Sequence, residues 1–120
     1  MPRVVHFEIP ADNNERAIKF YSTVFGWKIE QFPPTEYWIA TTGEDNKPGI
    51  NGAIMPRGKD KCVINTIDVP SVDAFIDLIK KNGGKILQPK TTIPGIGYFA
   101  YFQDTEGNKL GIMESDMSAK

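Results

Sequence analysis

The chain has 120 residues, 40% of them hydrophobic, which is enough for one domain with its own core and no disulfide or metal staples. Its formal net charge is -1, with no basic run beyond the short loop from Arg57 to Lys61, which argues against nucleic acid or an anionic membrane surface as partner. Cys62 is the only cysteine, MPRVVHFEIP lacks the apolar run of a signal peptide, and no stretch approaches the roughly 20 apolar residues of a membrane span. The expectation is a cytoplasmic protein.

Val4 to Ile9 is β-prone, and alternation sets Val4, His6 and Glu8 on one face and Val5, Phe7 and Ile9 on the other, the second being a core face. Asp12 with Glu15 three residues on makes a capping-box-like helix start. Ala17, Phe20, Tyr21, Val24 and Phe25 then form one stripe at helical spacing, and Gly26 stops the helix. Trp27 to Phe32 is predicted as a short strand ended by Pro33 and Pro34, Glu36 to Thr42 as the next, and Ile50 to Met55 as another beyond a turn at residues 43–49. Pro56 to Lys61 is a polar link between two halves.

From Cys62 the pattern begins again. Residues 62–69 predict a strand, Ser71 a helix N-cap, and Val72, Phe75, Ile76 and Ile79 a helical stripe closed by Asn82-Gly83-Gly84. Lys85 to Gln88 is a strand and the Pro/Gly/Thr-rich stretch after it a loop. Tyr98 to Gln103 and Lys109 to Glu114 are strands around the turn Asp104 to Asn108. The order is β-α-β-β-β twice, and at an offset of about 58 Gly26 meets Gly84 and Ala53 meets Gly111. The predicted fold class is α+β, with paired modules over residues 1–57 and 58–120 of a single domain, forming an open, cup-like barrel with helices outside.

This doubled plan, with His6, Phe20-Tyr21, Phe25-Gly26-Trp27, Asn82-Gly83-Gly84 and the turn Asp104-x-x-Gly107-Asn108, resembles the vicinal oxygen chelate superfamily of glyoxalases, extradiol dioxygenases and bleomycin-resistance proteins. Metal-dependent members take their ligands from the first and fourth strand of each half. The resemblance carries those four positions to His6, Ala53, Ile64 and Gly111, of which only His6 bears a donor. A divalent ion needs three or more converging donors, and a one-residue slip brings in only Asn65, so no metal and no cofactor are expected.

His6 is either a general base or ligand-orienting donor facing the cup, or a hydrogen-bonded wall histidine; Glu8 is either its partner or solvated charge at a strand end. Trp38, Tyr98, Tyr101 and Phe102 offer either a lining for a flat apolar or aromatic ligand or core packing, with Tyr37 and Phe99 among the same aromatic supply. Arg57 is either a clamp for an anionic ligand or a solvated link residue, and Cys62 is expected as a small buried filler. The leading expectation is a metal-independent small-molecule binder that forms a homodimer. The alternatives are a metal-dependent lyase, isomerase or dioxygenase, and a structural or regulatory dimer with a closed cavity.

Overall fold

A computed structural model describes residues 1–120. The elements run β1 (Arg3–Ala11), α1 (Asn14–Phe25), β2 (Lys28–Gln31), β3 (Trp38–Thr41), β4 (Asn51–Pro56), β5 (Ile64–Asp68), α2 (Val72–Lys81), β6 (Lys85–Ile93), β7 (Gly97–Gln103) and β8 (Lys109–Ser115). This is β-α-β-β-β twice over, an α+β arrangement. Contacts divide the chain into a unit of His6–Ile64 and a unit of Met1–Val5 with Asn65–Lys120.

In the first unit the strands lie in the order β2-β3-β4-β1, antiparallel except for β1, which runs parallel to β4. The register puts Ile39 beside Ala53 and Ala53 beside Glu8, so these three share a sheet face, with His6 and Asn51 two residues along. Phe7, Ile9, Ile54 and Trp38 share the opposite face. That face is turned to α1, since Phe7 meets Trp27 at 5.7 Å between ring centroids and Trp27 stacks on Tyr21 of the helix at 5.1 Å. Gly52 is required there, because a Cβ would come within 2.5 Å of the Phe7 ring and carbonyl.

The start and the apolar face of α1 both differ from the sequence expectation. Asn13 is the N-cap: it holds an extended φ of -133° and its side chain accepts from Arg16 N at 3.0 Å. Asp12 is drawn away by Arg57, whose Nε donates to Asp12 Oδ1 at 2.9 Å. The helix turns Ala17, Ile18, Tyr21 and Ser22 inward, while Phe20, Val24 and Phe25 stand 55%, 55% and 59% exposed. The Tyr21–Trp27 stack centres the inward face on Tyr21, and Phe20 and Phe25 pack edge-on against each other at the surface, centroids 6.5 Å apart. Gly26 closes the helix as predicted, at φ 73° and with its N–H on Ser22 O.

The second unit repeats the plan with strands in the order β5-β8-β7-β6, β5 again parallel to β8. Its core joins Val69, Val72, Ala100 and Ile112, and the predicted stripe residues Phe75, Ile76 and Ile79 pack on it. Ser71 caps α2 by accepting from Ala74 N at 3.1 Å, and the Glu114 carboxylate accepts from Val72 N at 2.9 Å, where the helix dipole favours negative charge. β6 runs on to Ile93, well past the expected end at Gln88. It carries Pro89 by shifting register between Gln88 and Thr91, and it closes the strand order, where a missing amide donor costs least. Cys62 is exposed, not a buried filler, because β5 begins only at Ile64. In the turn, Asp104 folds its carboxylate over its own backbone, accepting from Glu106 N at 2.8 Å and Asn108 N at 2.9 Å around Gly107 at φ 86°. No helix is long and apolar enough to cross a membrane.

Candidate functional site

His6 and Glu8 are two residues apart on β1 and therefore emerge from the same side of the sheet, the side away from α1. Between β1 and β3 lies β4, which on this face presents only the methyl of Ala53 beside Glu8. That leaves room on this face for a long side chain from the third-strand side, and Tyr37, the residue just before β3 and two before Ile39, reaches both β1 side chains. Its hydroxyl donates to Glu8 Oε2 at 2.7 Å and lies 2.6 Å from His6 Nε2. The imidazole and phenol rings are nearly parallel, 15° apart with centroids at 6.2 Å. The result is a continuous hydrogen-bond chain, imidazole to phenol to carboxylate, within the first unit.

Glu8 is 6% exposed, so it is not a solvated strand-end charge. A carboxylate so placed requires hydrogen-bond donors, and Tyr37 is one of them. The imidazole of His6 is held below its usual value of 6.5, first by burial, which disfavours the charged ring, and against the opposing pull of the Glu8 charge. His6 is therefore a neutral ring near neutral pH, able to donate from one nitrogen and accept at the other.

The other residues expected at a site are dispersed. Trp38 lies on the α1 side of the sheet, paired with Ile54, so strand alternation takes it away from His6 and Glu8. Tyr98 and Phe102 pack on the core beneath α2. Tyr101 stands on the opposite face of β7 with Phe99, ring centroids 5.5 Å apart, and carries Lys109 Nζ at 4.6 Å from its ring centroid. Arg57 is engaged by Asp12 and lies 3.4 Å from the Pro10 carbonyl. The sequence marks Tyr37 only as one aromatic among several. Its role depends on which face it shares, and that follows from the pairing of Ile39 with Ala53 and Ala53 with Glu8 rather than from any local pattern.

The positions that the resemblance assigns to metal ligands do not fit a metal. Ala53 and Ile64 are buried hydrocarbon, and Gly111 has no side chain and stands beside Thr66. His6 and Glu8 carry donors, but both are joined to Tyr37, and no three His, Cys, Asp or Glu side chains are grouped to hold an ion.

Residues 3–112 match the family model of the Glyoxalase/Bleomycin resistance protein/Dioxygenase superfamily. A glyoxylase-like domain-containing protein of Didymella fabae is 37% identical over 115 residues, covering 88% of each chain. Among solved structures, a hypothetical protein from Bacillus halodurans C-125 is similar with a TM-score of 0.69 at 15% identity, covering 99% of this chain and 98% of that one. A glyoxalase/bleomycin resistance protein/dioxygenase superfamily member from Vibrio splendidus 12B01 gives a TM-score of 0.65 at 18% identity, covering 97% of this chain and 100% of that one. At these identities the solved structures speak for the fold alone. With the family model spanning nearly the whole sequence, the chain belongs to the glyoxalase/bleomycin resistance protein/dioxygenase superfamily.

Proposed function

We propose that this chain is a metal-independent member of the superfamily, which binds a small organic molecule at the sheet face bearing His6, Tyr37 and Glu8. The observation that carries the reading is the hydrogen-bond chain itself. Two side chains of metal-ligand type are committed to one phenol hydroxyl, at 2.6 Å and 2.7 Å, in place of facing a point left for an ion. A ligand meets a neutral imidazole on the sheet face that also carries the half-buried side chain of Ile39, a surface suited to a flat, largely apolar body with one polar end. The proposal includes a homodimer in the cytoplasm, which light scattering of the purified protein and fractionation of the source cells would check.

Ligand-observed NMR screening of small aromatic compounds, run on the native chain and on His6→Ala, tests the reading. Compounds that bind the native protein without added divalent metal and lose at least several-fold in affinity in the variant support it. Binding that appears only with a divalent metal, or that is equal in both proteins, would contradict it, and the first result would favour a metal-dependent lyase, isomerase or dioxygenase.

A further inference from the structure

We propose that Tyr37 and Glu8 lock His6 as its Nε2–H tautomer and so leave Nδ1 as a bare acceptor, which selects ligands carrying a neutral O–H, a phenol or an enol, over ligands with only carbonyl or ether oxygens. The inference rests on the binding role proposed above and names the chemistry of the ligand's polar end. It begins with a count of protons. A phenol has one O–H, and Tyr37 gives it to Glu8 Oε2 at 2.7 Å. The phenol oxygen, 2.6 Å from His6 Nε2, is then an acceptor in that contact, so Nε2 carries the ring proton. A neutral imidazole has a single N–H, and Nδ1 is left with its lone pair.

Nδ1 makes no hydrogen bond to any group of the chain, and the one side-chain polar atom that is both sealed from solvent and without a partner is Asn14 Oδ1. The lone pair of His6 is therefore open to an incoming molecule. Burial, which disfavours the charged ring, keeps that lone pair available near neutral pH. A ligand that offers only acceptor oxygens places them against another acceptor and gains nothing there. One that offers an O–H completes the relay, four groups long, from ligand to imidazole to phenol to carboxylate.

The second module shows that the relay is particular to the first. In both modules the first strand pairs in parallel with the fourth, Glu8 with Ala53 and Thr66 with Gly111, so His6 and Glu8 correspond to Ile64 and Thr66. On the third strand Ile39 pairs with Ala53 as Tyr101 pairs with Gly111, so Tyr37 corresponds to Phe99. Ile64, Phe99 and Thr66 cannot form such a chain. The selective polar contact is thus made once per chain.

Because the chain has a single histidine, imidazole 15N resonances report on His6 alone. In labelled protein at neutral pH, Nε2 is expected in the protonated, pyrrole-like range and Nδ1 in the unprotonated, pyridine-like range, with no ligand present. Tyr37→Phe is expected to mix the two tautomers. Titration with phenol should then shift Nδ1, with affinity roughly three- to tenfold tighter than for anisole, its methyl ether, which has no O–H. An Nδ1–H tautomer in the native protein overturns the lock, whatever binds. Anisole binding as tightly as phenol overturns the O–H preference and leaves small-molecule binding standing, whereas an unmoved His6 at saturating concentrations of both probes counts against the binding site itself.

Discussion

His6 pays for its burial in protonation. Its ring is harder to charge in the folded chain than in the unfolded one, since burial outweighs the attraction of Glu8. Between the depressed folded value and the unfolded value of 6.5, the unfolded chain therefore binds more protons. Stability is full above 6.5 and falls as the pH drops through that window. The lowered carboxylates of Asp104 and Asp116 lose their contribution only below their ordinary value of 3.8, so they do not obscure it. Thermal unfolding of the native chain and of His6→Gln, followed from about pH 7 to about pH 5, should show a steeper loss in the native protein. Parallel curves would mean that the ring is not buried as described. At this scale the alternation of β1 was enough to set His6 and Glu8 side by side. Tyr37 escaped because a short strand with apolar residues on both faces, Trp38 and Ile39, gives no parity of its own.

The two helices show how far local signals reach. In α2 the N-cap, the stripe and the glycine exit were all readable, because Ser71 caps without a rival and Val72, Phe75, Ile76 and Ile79 meet one core. In α1 two acceptors stand in adjacent positions, and a residue 45 positions away decides between them by taking Asp12. That choice is testable. Asn13→Ala should cost about 1 kcal/mol in chemical denaturation, the worth of an N-cap. Asp12→Ala, which removes only an ion pair with side chains 37% and 71% exposed, should cost well under about 1 kcal/mol. The reverse order would restore Asp12 as the cap. The outward turn of Phe20, Val24 and Phe25 was not readable either: an aromatic run satisfies several helical stripes equally, and the stack of Tyr21 on Trp27 chooses among them. β6 was underestimated for a similar reason, since Pro89 reads as a terminator unless the strand closes the order and can slip its register.

Across the whole molecule the repeat was the most readable feature. Its offset of about 58 reappears in the pairings, Glu8 with Ala53 in one module and Thr66 with Gly111 in the other. The third strands do not keep that offset, because the second module accommodates a longer β6 and its turn, and Tyr37 therefore matches Phe99 and not the residue a uniform shift would give. A duplicated scaffold thus carries a polar relay in one copy and, in the other, Ile64, Phe99 and Thr66, which cannot form one. Membership of the superfamily follows from the chain as a whole, whereas activity depends on what stands at a few positions of the sheet face. Ala53, Ile64 and Gly111 supply no donor there, and Tyr37 occupies the two residues that do.

The most direct measurement is the metal content of the protein, purified without added metal and assayed by elemental mass spectrometry beside His6→Ala. Far less than one divalent ion per chain in both proteins is the result predicted. One ion per native chain, lost together with the imidazole, would show that His6 serves a metal and would contradict the account.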